Sequence, residues 1–211
     1  MKKIFIYSLL LLLLGHLSAQ KLATTEQGEK VVLYDNGTWK YEHEKSIPDI
    51  VIPMNPKSFV KDEKSSFLLK SAKLDYGFWL NPKKWTFKRG GSGSTSEYDI
   101  QLKGGDLHGK VLTENVEIPI TKLRNIVIEN AIEISPNTSI IKEEYRMVNG
   151  LKVLHLEMNS TVKGIKFTYY GYYYSSPVGT VQFIVYTSHK LSNHYEEDCQ
   201  LLLNGLMEGT K

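Results

Sequence analysis

The sequence predicts an α+β fold: an antiparallel β-sheet meander flanked by helices on both faces, with a small N-terminal β-hairpin. Three observations carry this prediction. First, four β-rich runs follow one another from Thr138 to Ser188, separated by turns at Asn149-Gly150, Lys163-Gly164 and Ser175-Ser176-Pro177-Val178-Gly179. Asn-Gly between two such runs favours a type I′ hairpin, because both central residues need φ > 0. Second, apolar residues occupy both alternation phases of this meander. Leu151 and Val153 lie opposite Leu154, Leu156 and Met158, and Val181, Phe183 and Val185 lie opposite Ile184 and Tyr186. A sheet apolar on both faces needs cover on both. Third, one amphipathic helical pattern precedes the meander and another follows it, so cover is available for each face.

Taken in order, residues 1–19 have the pattern of a secretory signal peptide. Lys2 and Lys3 form the positive region, Ile4 to Leu14 the apolar region, and Leu17-Ser18-Ala19 the small-residue cleavage site. The apolar run is shorter than the roughly 18–20 residues that span a bilayer. Cleavage before Gln20 is expected, giving an exported protein, periplasmic or extracellular, with no membrane span. The formal net charge is +3, and losing the two leader lysines leaves +1. A nearly neutral chain argues against nucleic acid as a partner, because phosphate binding needs a basic surface. Cys199 is the single cysteine. It cannot close an internal disulfide, and its place on an apolar helix face suits a small buried hydrophobe.

Residues 20–42 hold the hairpin: Glu29 to Tyr34, a turn at Asp35-Asn36-Gly37, and a return over Thr38 to Tyr41. A lone two-stranded hairpin is marginal in water, so Tyr34, Trp39 and Tyr41 are expected to pack on the main domain or on a partner. The run resembles a "DGTW" hairpin found near the N-terminus of secreted bacterial proteins, and with the leader it points to a Gram-negative source. Pro48, Pro53 and Pro56, followed by Lys61-Asp62-Glu63-Lys64, mark 43–70 as an extended linker.

The main domain is then 71–211. Tyr76 to Leu80 reads as a strand stopped by Asn81-Pro82, and Lys83 to Phe87 leads into the flexible loop Gly90 to Ser96. That loop lacks the Gly-Lys-Ser/Thr ending of a phosphate cradle. Glu97 to Leu102 and Lys110 to Val116 form a hairpin around Gly104-Gly105-Asp106. Leu123, Ile126, Val127, Asn130, Ala131 and Ile134 share one helical face, with Pro119 at its start and Ser135-Pro136 at its end. After the meander, Asn193 and Glu196 have capping-box spacing. Tyr195, Cys199, Leu202, Leu203 and Leu206 supply the inner face of this second helix, with Gly205 or Gly209 to terminate it.

This order of elements resembles the PsbP-like (Mog/PsbP) α/β/α sandwich. The matching features are Trp79-Leu80-Asn81-Pro82-Lys83-Lys84-Trp85, Tyr145 to Gly150, Gly171-Tyr172-Tyr173-Tyr174 and Leu203-Asn204-Gly205-Leu206. That family includes an extrinsic photosystem subunit, a Ran-binding nuclear factor and bacterial effector-chaperone domains. The resemblance implies a non-catalytic binding or assembly protein and leaves the partner open.

The candidate binding surface is the aromatic run with Trp39. Tyr169 and Tyr173 share one strand face with Gly171, and Tyr170, Tyr172 and Tyr174 share the other. Most of these rings are expected to pack under helices, with an exposed shelf wherever the strand outruns its helix. Such a shelf suits an envelope protein or a small glycan or lipid ligand, and Gly171 would permit close approach. No catalytic residues are expected, since no nucleophile elbow or metal-protease helix is present. His189 and His194 lack a third ligand, so no metal is expected, and no motif points to a cofactor. His155, beside Glu157 on a strand face, reads as a hydrogen-bonded core histidine.

Overall fold

A computed structural model describes residues 21–24, 30–34, 39–41 and 51–209, the side chains of 39–41 excepted. The signal-peptide segment 1–19 and the first part of the linker lie outside the described residues. The chain divides into two compact units, 1–49 and 50–211.

In the first unit, β1 (Lys21–Thr24), β2 (Lys30–Leu33) and β3 (Trp39–Tyr41) form an antiparallel sheet in the order β1-β2-β3. The expected hairpin is β2–β3. The sequence reading missed β1, which adds a third strand to a hairpin that would be marginal as a pair.

The second unit contains β4 (Met54–Phe59), β5 (Phe67–Lys70), β6 (Tyr76–Leu80), β7 (Trp85–Arg89), β8 (Tyr98–Leu102) and β9 (His108–Glu114). These are followed by α1 (Ile120–Ile134), β10 (Ser139–Val148), β11 (Leu151–Val162), β12 (Ile165–Ser176), β13 (Gly179–Ser188), α2 (Ser192–Leu203) and β14 (Leu206–Glu208). An eight-stranded sheet runs in the order β4-β10-β11-β12-β13-β9-β8-β7. The meander β10–β13 is its centre. Positive φ at Asn149 (48°) and Gly150 (86°), and at Lys163 (50°) and Gly164 (79°), sets the first two turns as primed hairpins.

Two strands lie inside the stretch expected as linker. β4 pairs in parallel with β10, and β5 pairs with β6. The prolines mislead because β4 is an edge strand, where a missing N–H costs no ladder bond on its outer side. The sequence also left β6 without a partner. It sits with β14 and β5 in a separate three-stranded sheet, order β14-β6-β5. Gly205 makes this possible: a Cβ there would meet the Trp79 carbonyl oxygen at 2.2 Å, where Trp79 N–H donates to Gly205 O at 2.8 Å.

One face of the large sheet is covered by α2 and the small sheet. Its core joins Tyr170, Tyr172, Val181, Phe183 and Val185 to Phe78, Cys199, Leu202 and Leu203. Phe78 meets Phe183 edge-on, centroids 5.1 Å apart. Among the described residues, α1 is the helix that covers the opposite face. Leu123, Val127 and Ile128 of that helix are buried, as are Leu154, Leu156, Met158 and Tyr173 beneath it. Predicted inner-face residues Ile126 and Ile134 are instead 40% and 73% exposed, and Arg124 is buried in their stead. The reason is electrostatic: Arg124 makes a two-pronged pair with Glu143 of β10, both side chains under a tenth exposed. The expected Asn193 cap also shifts. A 3-10 turn at His189–Leu191 leads straight into α2, so Asn193 lies inside the helix, and Ser192 Oγ donates to His189 O at 2.8 Å.

Candidate functional site

Because α1 packs on the β10–β12 side of its face, no helix among the described residues lies over the β13-β9-β8-β7 side. Strand register lines up residues of this face across the sheet. Thr86, Gln101, His108, Tyr186, Tyr169 and Met158 form one continuous cross-strand row over six strands. A second row runs parallel to it: Lys88, Asp99, Lys110, Ile184 and Gly171. Cross-strand neighbours sit close enough for direct side-chain contact.

The middle of the first row is an aromatic stack. The His108 and Tyr186 rings lie 5.4 Å apart at 23°, and Tyr186 and Tyr169 lie 5.5 Å apart at 26°. Near-parallel rings at that separation are offset, so each shingles its neighbour and keeps part of its surface free. Phe167 meets both tyrosines obliquely, at 6.2 and 6.3 Å. All four side chains are partly exposed. Burial raises the Tyr169 and Tyr186 hydroxyl pKa values above the usual tyrosine range, so both remain neutral donors.

His108 is fixed at the end of the stack by Asp106, whose Oδ1 lies 3.1 Å from Nε2. The Asp106 carbonyl accepts from Thr187 Oγ1 at 2.5 Å, and its N–H donates to Tyr195 Oη at 3.2 Å. Beyond His108 lies an open groove of about 390 Å³ running to the edge strand β7. Its floor is polar. Lys110 Nζ and Ser96 Oγ both donate to Asp99 Oδ1, at 3.0 and 2.9 Å. These bonds, with the Lys110 charge, hold the Asp99 carboxyl below the usual range against the desolvation that raises it. Gln101 Nε2 donates to Gly105 O at 3.1 Å.

The tyrosines singled out in the sequence part company here. Tyr169 belongs to the stack. Tyr170, Tyr172 and Tyr173 are buried at 4%, 0% and 1% exposure, so they present no surface. Tyr172 Oη donates to Asn204 Oδ1 at 2.8 Å and accepts from Arg146 at 3.1 Å, in a network that continues from Arg146 to Glu144. Tyr174 Oη donates to Glu208 at 2.6 Å and ties β12 to β14. The room above Gly171 is filled by Tyr173, not left to a ligand. Trp39 lies on β3, and its side chain falls outside the described residues. Tyr186 and His108 are the contributors that sequence reasoning missed.

The reactive side chains are engaged elsewhere. His155 is 2% exposed and donates through Nδ1 to Gly171 O at 3.2 Å; burial and Arg146 push its pKa down to about 3. Burial pushes the Cys199 thiol far above its ordinary range. His189 Nδ1 pairs with Thr168 Oγ1 at 2.9 Å, and His194 packs against the Tyr195 ring at 4.6 Å. Among the described residues no group of three or more His, Cys, Asp or Glu side chains is placed to hold a metal ion. No described helix is long and apolar enough to cross a membrane.

Fold and face together define an α+β sandwich in which the described residues cover one side of the large sheet and about half of the other. Among solved structures the chain is similar to the cyanobacterial PsbP of Synechocystis sp. PCC 6803, with 15% identity over 67% of this chain and 91% of that chain, at a TM-score of 0.51. The fold is therefore PsbP-like, and at this identity the likeness reaches the fold alone. A weaker similarity, TM-score 0.47 and 9% identity over 67% of this chain and 88% of that chain, is to LpqN of Mycobacterium tuberculosis, described as involved in cell envelope biogenesis. No protein-family model and no curated protein matches the sequence.

Proposed function

We propose that the chain is an exported, non-catalytic binding protein of a bacterial envelope, and that it makes contact through the open face of its large sheet. The observation that carries this reading is the His108–Tyr186–Tyr169 stack, three partly exposed rings in a row with no helix among the described residues over them. Aromatic rings held in place give large contact area at low entropic cost, which is why they dominate binding surfaces. Export rests on the leader pattern of residues 1–19.

Two kinds of partner suit such a face: an envelope protein or a small ligand. The polar groove beside His108 favours the small ligand, since its volume lies near the lower end of the roughly 300–1,000 Å³ of small-molecule sites. A thermal-shift screen of the chain from Gln20 against glycans, lipids, divalent metals and nucleotides tests the reading, because a ligand of the native state raises the melting temperature. A shift present in the wild type and lost in Tyr186→Ala supports it. A shift of equal size in Tyr186→Ala places the contact elsewhere and overturns the assignment of this face.

A further inference from the structure

We infer that the groove between β7 and β9 is a carbohydrate subsite that takes a pyranose ring against His108, with Tyr186 behind it. The inference rests on the reading of the open face as the contact surface and adds the chemical class of its ligand.

A pyranose ring asks three things of a site: an apolar wall for its C–H face, acceptors and donors side by side for its hydroxyls, and little net charge. The wall is present. His108 is stacked from behind by Tyr186 and held from the side by Asp106, so its orientation is set before any ligand arrives. The acceptors are present too. Asp99 takes both of its bonds on Oδ1, and Gln101 is bonded through Nε2, so Asp99 Oδ2 and Gln101 Oε1 remain to accept. Lys88, exposed on β7, supplies donors from the far side, with the remaining N–H groups of Lys110 between the strands, while the Thr86 hydroxyl, which donates to Gln101 O, can accept.

Charge selects against other classes. Of the groove's two lysines, Lys110 is paired with Asp99, the one carboxylate of the lining, while Asp106 pairs with His108. A phosphate-bearing ligand is held best where several uncommitted cations converge, whereas here one of the two lysines is already bonded to Asp99. A lipid chain would need a deep apolar enclosure, whereas this groove is shallow, with charged and amide side chains on its floor. Hydroxyl groups, which donate and accept at once, match alternating Lys, Asp and Gln positions along neighbouring strands.

The test is a backbone-amide NMR titration of the chain from Gln20 with maltose, cellobiose, lactose and N,N′-diacetylchitobiose, each to millimolar concentration, the range expected for one shallow subsite. The inference predicts saturable shifts with at least one disaccharide at the amides of 99–101, 108–110 and 186. Gln101→Ala lies on an exposed side chain and leaves the fold intact; it should weaken the affinity about tenfold. His108→Ala should abolish saturation. No saturable shift at these amides with any of the four sugars, or an undiminished affinity in Gln101→Ala, overturns the inference. Failure here is separable from failure of the broader reading: a partner captured at position 186 without sugar binding keeps the contact face and removes the sugar.

Discussion

The Tyr173 ring folds back over Gly171, two residues earlier on the same strand, so closely that a Cβ on residue 171 would stand 2.5 Å from a ring carbon. Tyr173 is itself buried under α1, so the ring has nowhere to retreat. Gly171→Ala should therefore cost about 1–3 kcal/mol, the range for forcing extra volume into a packed core. Chemical denaturation of both proteins reads the difference. An unchanged midpoint would show that the ring can shift freely.

Arg124 and Glu143 join α1 to the sheet through a buried, two-pronged pair. Removing one partner strands the other charge in the interior. Arg124→Leu alone should lose about 3–5 kcal/mol, whereas Arg124→Leu with Glu143→Leu should lose far less, because no charge is left unpaired. Equal losses in the single and double variants would assign the cost to packing instead.

Acid should weaken the fold through His155. Its folded pKa of about 3 lies below the ordinary 6.5, so between those values the unfolded chain binds a proton that the native chain refuses. Stability is then full above pH 6.5 and falls as the pH drops, by up to about 1.4 kcal/mol per pH unit from this group. Glu157 works the other way, its carboxyl raised by burial and by Glu196, but it acts nearer the carboxylate range. His155→Asn keeps an N–H for the Gly171 carbonyl and does not titrate. It should flatten the stability profile between about pH 5 and 6.5. A profile parallel to the wild type would contradict this.

Cys199 has no exposed surface, and burial holds its thiol protonated. A thiol reagent at neutral pH should leave the folded chain unlabelled and modify it once after unfolding. Labelling of the native protein at the unfolded rate would mean that α2 opens readily.

Much of this architecture was legible because it is local. The primed turns at Asn149-Gly150 and Lys163-Gly164 set the register of β10, β11 and β12 without reference to the rest of the chain. The two-residue turn at Pro177-Val178 places Tyr169 opposite Tyr186, so that half of the aromatic stack could have been counted from the hairpin. His108 could not. Its neighbour on the stack is separated from it by α1 and three strands, and nothing in the spacing says that β9 docks beside β13. Tyr170, Tyr172 and Tyr173 misled for a related reason. A run of tyrosines looks the same whether helices cover it or not, and cover is decided by where α1 and α2 land. β4 hid behind Pro53 and Pro56, whose chemistry suits a linker and an edge strand equally.

We propose that this protein meets its partner on the open face around Tyr186. The most direct test is a photo-crosslinking residue placed at position 186 and, separately, at Glu129, which is exposed on α1. After irradiation in cells of the source organism, intact-mass analysis detects protein and small-molecule adducts alike. Adducts are expected from position 186 and none above background from position 129. Equal labelling at the two positions, or none at 186, would contradict it.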